Sequence, residues 1–328
     1  MWSQLVTENR HLMARAFAPG TMRNFRGQWA RYATFCEYFQ VRNRFPVSVQ
    51  VLGAYITWLS QTVQSQGTVR NYVNGLKVLH SLHGLDLSSF DDVTVSLSLR
   101  GVDRTLSYTP RRAQPITPDI LVRMLSALDP TSPADATMQS LFLISFFMFL
   151  RKSNTVPDSV RAFDPSKQLV RGDCHRVGNM LLVYSKWSKT NQFGRRSRSV
   201  PVLPLPGSPL CPVAAFDNMC RLVPGADTDP AFCFVSDGVR KPVTYAVFQR
   251  RLKSTIRSIG LDSRLFSTHS FRRGGATFAF KAGISGDTIK ILGDWQSEAY
   301  QVYLECPLEV KAAASDKFRR AVLAAISN

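Results

Sequence analysis

The chain has 328 residues, 45% of them hydrophobic, and carries a formal net charge of +18. That length fits one large domain or two ordinary ones with real cores, and the charge calls for a polyanionic partner, nucleic acid before an anionic membrane. The first ten residues lack the apolar core of a signal peptide, and the longest apolar run, Leu141 to Leu150, is too short to cross a bilayer.

The six cysteines form no C-x-x-C pair and fit no zinc-site spacing. They read as reduced thiols of a cytosolic or nuclear protein.

The first hundred residues predict a bundle of amphipathic helices. Met22 to Phe39 follows the turn Pro19-Gly20-Thr21, with Phe25, Trp29, Tyr32, Phe35, Cys36 and Phe39 recurring at helical spacing. Pro46 to Val63 predicts a second helix, capped near Ser48. A third starts at Ser65 and carries Val69, Tyr72, Val73, Leu76 and Leu79 on one face. Its other face offers Arg70, Asn71, Asn74, Lys77 and His80. A fourth spans Asp91 to Leu106, exposing Arg100 and Arg104. With Arg23 and Arg26 of the first helix, these residues suit a DNA-gripping bundle, although a basic helix face is as often merely solvated.

Residues 1–107 thus form one domain. Residues 108–116, with Arg111 and Arg112 among prolines and no apolar periodicity, read as a basic linker. Residues 117–328 form the second domain. Thr117 caps a helix with Pro118 in its first turn, and Ala134 to Leu150 reads as a buried helix. Arg151 emerges at the end of that apolar run, where a cation also answers the helix dipole. Met180 to Ser185 and Ser197 to Val202 alternate like paired strands. Between and beside them lie Lys186 and Lys189, and Arg195, Arg196 and Arg198, which suit the backbone of a DNA duplex. After a proline-rich stretch come a helix from Val213 to Leu222, a strand from Phe232 to Val235 and a helix from Tyr245 to Ile259. Leu308 to Ile326 reads as a last amphipathic helix.

The stretch from Ser267 to Tyr303 carries the chemistry. His269 and Arg272 stand three apart, on one face of a helix that Ser267 or Thr268 can cap. Gly274 and Gly275 sit inside that helix at a cost of roughly 1 kcal/mol each, which makes sense if something packs against the backbone there. Ile284 to Leu292 predicts a short helix ending at Gly293. Trp295 follows, and a third helical run carries Tyr300 and Tyr303. An Arg fork with a His suits the oxygens of a phosphodiester, and a Tyr phenol can attack its phosphorus.

H-S-F-R-R-G-G, then L-G-D-W, then a Tyr eight residues after the Trp, resembles the tyrosine recombinases, the phage integrases and their relatives. The flavour is that of the recombinases of eukaryotic DIRS-like, Ngaro and Crypton mobile elements. The resemblance implies a mainly α protein: an N-terminal helical core-binding domain, then a mixed α+β catalytic domain with a small antiparallel sheet. T-V-R-N-Y-V-N-G-L-K-V-L-H looks like the DNA-facing helix of the first domain, and F-L-R-K-S-N like the motif of the first catalytic arginine, Arg151. Many relatives carry a carboxylate three residues on, where this chain has Asn154.

By that resemblance Tyr303 attacks the scissile phosphate and becomes a 3′-phosphotyrosine. Arg151, His269 and Arg272 hold the phosphate oxygens, and Lys189 on a hairpin protonates the leaving 5′ oxygen, with Lys186 as its competitor. Trp295 stands where many relatives have a second His, and Tyr300 is the rival nucleophile. The scheme needs no cofactor and no metal. It implies double-stranded DNA as partner, a monomer or weak dimer in solution, a homo-tetramer on paired sites, and work in the nucleus as a mobile-element integrase. A type IB topoisomerase-like strand transferase and a domesticated, non-catalytic DNA-binding protein are the alternatives.

Overall fold

The computed structural model describes residues 1–108, 112–188, 198–236, 238–295, 312, 315–320 and 322. The chain divides into two compact units, Met1–Arg111 and Arg112–Asn328.

The first unit is helical: α1 (Trp2–Arg15), α2 (Pro19–Tyr38), α3 (Val49–Thr62), α4 (Gln66–His83) and α5 (Val93–Thr105). Helix α1 was not expected; it buries no residue, so its sequence carries no core stripe to read. α2 begins at Pro19, three residues early, because proline suits the first helical turn. Ser48 caps α3 by accepting from the Val51 N–H at 3.3 Å, as expected. The core is aromatic. Tyr32 meets Tyr55 edge-on at 5.1 Å, Phe35 lies 5.5 Å from Trp58, and Trp29 donates its indole N–H to the Gly75 carbonyl at 2.7 Å.

His80, expected on the polar face of α4, is fully buried. It joins the core because its ring bridges two backbone groups. Nε2 accepts from the Val47 N–H at 3.0 Å, and Nδ1 lies 2.8 Å from the Leu76 carbonyl. The neutral ring with its proton on Nδ1 satisfies both bonds. Burial lowers the pKa of His80 from its ordinary value, against an opposing pull from the Leu76 carbonyl.

The second unit starts with residues 113–116, which are part of its packing rather than a free tether. Gln114 N–H donates to the Leu265 carbonyl at 2.7 Å and Ile116 N–H to that of Ser270 at 3.0 Å, and Ile116 is fully buried. Then follow α6 (Pro118–Ser126), capped by Thr117, α7 (Pro133–Phe147) and α8 (Lys152–Thr155). β1 (Cys174–Val177), β2 (Met180–Ser185) and β3 (Arg198–Val202) form an antiparallel sheet in that order. Leu182 stands opposite His175 on one side and Pro201 on the other. α9 (Pro212–Leu222) leads to the hairpin of β4 (Cys233–Ser236) and β5 (Val239–Pro242). α10 (Tyr245–Ser258), α11 (His269–Lys281) and α12 (Gly286–Leu292) complete the order. The mainly α architecture with a small antiparallel sheet is as expected; β1 and β5 are additions, short strands with little alternation to read.

α7 is the axis of this unit. It is buried on every side from Ala136 to Phe146 and packs against α9 and α11. Phe142, Phe248 and Phe271 stack within 6.0 Å of one another and tie α7, α10 and α11 together. The two glycines of α11 answer close backbone contact. A Cβ on Gly274 would stand 1.9 Å from the Ile116 carbonyl oxygen, and one on Gly275 would stand 2.1 Å from that of Phe146.

Two predictions follow from this packing. Gly274→Ala must push α11 off a backbone segment and should cost about 1–3 kcal/mol, whereas Gly53→Ala on α3, with open space at its Cβ, should be neutral or stabilising; urea midpoints of the two variants compare them. Because the folded pKa of His80 is depressed, its contribution is complete above the unfolded value of about 6.5 and is lost as pH falls towards the folded value. His80→Gln should therefore flatten the fall in stability between about pH 7 and 5 seen in pH-dependent urea unfolding.

Candidate active site

Helix ends build the site. α7 closes in a Schellman turn. The Leu150 N–H reaches back to the Ser145 carbonyl at 3.2 Å, and Phe149 takes a left-handed φ of 50°. α12 closes the same way. The Trp295 N–H reaches the Lys290 carbonyl at 3.0 Å, and Asp294 has φ 53°. The ends of α4 and α11 use glycine at this point, Gly84 and Gly283. Phe149 and Asp294 instead carry side chains that the site uses.

The carbonyls of these two left-handed residues each accept an arginine. Arg272 Nη1 donates to Phe149. Arg151 Nη2 donates to Asp294 at 3.3 Å, and Arg151 Nη1 lies 3.6 Å from the Asp294 carboxylate. Two arginines far apart in sequence are thereby brought to one place by α7, α11 and the end of α12. The guanidinium of Arg272 lies 3.6 Å from the centre of the Trp295 ring, a cation–π contact with a desolvated cation. Phe149 also neighbours that ring, at 6.3 Å. Gly293 makes this possible, because a Cβ there would come within 1.4 Å of the indole.

Arg272 is 2% exposed and is the largest fully buried side chain among the described residues. His269, at the first position of α11, is exposed. The expected cap of α11 takes another form. Thr268 makes no side-chain cap bond, and Ser270 Oγ accepts from the Ser267 N–H at 3.0 Å.

Arg198, expected along the DNA backbone, turns inward. It donates from Nη1 to the Leu292 carbonyl at the end of α12. Burial lowers its pKa from the ordinary arginine value; Asp294 opposes that shift and Arg151 adds to it. Asn154 is buried and donates to the Trp187 carbonyl at 2.6 Å, anchoring the strand end that leads towards Lys189. The amine of Lys186 lies 2.7 Å from the buried Asp173 carboxylate. Lys189, Arg195, Arg196, Arg111, Tyr300 and Tyr303 lie outside the described residues.

In the first unit Arg23, Arg26, Asn71 and Arg104 are exposed. Arg70 makes a two-pronged pair with Asp103, and Lys77 pairs with Asp91 at 2.6 Å. These pairs are open to solvent and worth at most about 1 kcal/mol each, so a phosphate can compete for either cation. Arg112 is exposed at the start of the second unit. No group of His, Cys, Asp and Glu among the described residues could hold a metal ion.

Sequence reading missed Asp294 and Phe149. An acidic residue between Gly293 and Trp295 was a signal for the first. Nothing marked the second, since the position after a helix ordinarily favours glycine.

Solved structures with this architecture are tyrosine recombinases. The Tn1549 transposon integrase in complex with transposon right end DNA is similar over 96% of this chain and 98% of that one, with a TM-score of 0.61 at 15% identity. The XerH site-specific recombinase bound to palindromic difH substrate, a post-cleavage complex, gives a TM-score of 0.58 at 15% identity over 88% and 76%. A lambda integrase dimer bound to a COC′ core site gives 0.51 at 13% over 92% and 76%. No family model and no curated protein matches the sequence. The chain has the tyrosine-recombinase fold.

The contact between Gly293 and Trp295 can be tested directly. Gly293→Ala must drive the indole off Arg272, and a melting curve should show a loss of about 1–3 kcal/mol. Trp295→Phe, which keeps a ring over the cation, should lose less.

Proposed function

We propose that this chain is a DNA strand transferase of the site-specific recombinase type, acting as the integrase of a mobile element in a nucleus. One observation carries the reading: on this fold, Arg151 and Arg272 arrive at one site from opposite parts of the catalytic unit, each oriented by a backbone carbonyl. Guanidiniums held in advance need little reorganisation as charge builds on a pentacoordinate phosphorus, and such preorganisation is usually the largest catalytic term.

The reaction runs as two transesterifications. The Tyr303 phenol gives up its proton to a base or to solvent as its oxygen forms a bond to the scissile phosphorus, and the bond from phosphorus to the 5′ oxygen breaks. Lys189 gives its proton to the leaving oxygen. The 3′-phosphotyrosine keeps the bond energy, and the 5′ hydroxyl of a partner strand reverses the step. Arg151, Arg272 and His269 hold the non-bridging oxygens, and the Trp295 indole covers them. Removing one such donor costs on the order of 10²–10³ in rate. Exchange between two duplexes needs two sites and so four protomers. The exposed Arg23, Arg26 and Arg104 meet phosphates, which position rather than specify.

Covalent trapping tests the reading. The protein is incubated with a pool of nicked random duplexes and denatured in SDS, beside Tyr303→Phe and Tyr300→Phe. An adduct lost with Tyr303→Phe alone supports the scheme. One lost with Tyr300→Phe alone moves the nucleophile. Plasmid relaxation without strand exchange would point to a topoisomerase-like enzyme. Tight binding without an adduct on sequences selected by that binding would point to a non-catalytic DNA-binding protein.

A further inference from the structure

We propose that Asp294 is the counter-ion of the candidate site, a positioning residue whose carboxylate lets Arg151 and Arg198 stand together and occupies the place that a substrate phosphate oxygen takes over. The inference rests on the reading of this site as a phosphodiester site and deepens it.

Three observations carry the proposal. First, Asp294 occupies the left-handed position of a Schellman turn, with φ 53°. Glycine suits that position best, and Asp is tolerated there. Asp294 thus keeps a carboxylate at a position where glycine would fit.

Second, that side chain faces cations. The Asp294 carboxylate stands 3.6 Å from Arg151 Nη1 while the same residue's carbonyl accepts from Arg151 Nη2. The two side chains are only 21% and 17% exposed. Towards Arg151 Nη1, at 3.6 Å, the carboxylate is an ion-pair partner rather than a tight hydrogen-bond acceptor, so an oxyanion can take over that pairing without breaking the separate carbonyl bond that holds Arg151.

Third, Arg198 joins the same field. Its Nη1 is held by the Leu292 carbonyl, two residues before Asp294, and its Nε is buried without a hydrogen-bond partner. The charge of Arg151 works against that of Arg198 and Asp294 supports it, while the same carboxylate pairs with Arg151. Two guanidiniums in one partly buried place need an anion. The protein carries its own until a phosphodiester arrives.

The test uses the full chain, no DNA, and inorganic phosphate as the probe. Asp294→Asn keeps the side-chain shape and tolerates the left-handed turn, so it removes charge alone. Asp294→Gly relaxes the turn and removes the side chain. In chloride buffer both should melt about 3–6 °C below the parent chain. About 20 mM phosphate should restore most of that loss while barely moving the parent, because the added anion binds the folded site. In the double variant Asp294→Asn/Arg198→Gln the penalty should largely vanish without phosphate, since one cation fewer needs no counter-ion.

A gain in stability for Asp294→Gly would show that the turn, not the charge, governs this residue and would overturn the proposal. So would equal phosphate responses in parent and variant, or additive losses in the double variant. These readouts do not use strand cleavage. A failed trapping experiment with intact coupling therefore sinks the enzymatic reading and spares the counter-ion, and the reverse pattern does the opposite.

Discussion

The second unit depends on how one permanent charge is buried. Arg272 is 2% exposed, and a guanidinium does not neutralise itself by losing a proton. Its desolvation, several kcal/mol in a real interior, must be offset by fixed partners. The Phe149 carbonyl and the Trp295 ring are two of them, and each imposes conditions further out. The carbonyl points inward only because Phe149 adopts a left-handed backbone. The ring reaches the cation only because Gly293 leaves room for it.

Those conditions explain why the core is arranged as it is. α7 is buried on nearly every side, which carries the Phe149 turn into the interior of the unit. α11 approaches that turn closely enough to exclude any side chain at Gly274 and Gly275. Left-handed non-glycine residues cost of order 1–3 kcal/mol each, and here two occur at the same site, Phe149 and Asp294. In both cases the strained residue's carbonyl holds an arginine. The aromatic stack of Phe142, Phe248 and Phe271 holds α7, α10 and α11 together elsewhere in the unit.

Outside that centre the same kinds of residue behave differently because solvent screens them. Arg70 and Lys77 pair with carboxylates at exposed positions, where pairing is weak and exchangeable. Arg151 and Arg198 lie in a partly buried field, where each charge is felt by the next. The formal charge of +18 is thus spread over two roles, a diffuse surface excess and a small set of oriented cations.

Much of the fold was legible in the residues. Helical spacing of apolar residues located α2 to α4, Ser48 and Thr117 announced their helices as caps, and alternation located β2 and β3. The paired glycines of α11 called for a close neighbour, and Ile116 and Phe146 supply it. These features are local: spacing, caps and steric demand are written in a few adjacent residues. The inward turn of Arg198, the core position of His80, and the site roles of Phe149 and Asp294 are not local. A basic residue in a strand or on a helix face reads as exposed until another segment supplies a backbone partner or a carboxylate. Those partners come from residues 33 positions away for His80 and 94 for Arg198. The sequence by itself determined which residue types were available and on which helices and strands they stood. Only the tertiary structure decided which charges would share one dry place, because that depends on long-range packing and not on spacing.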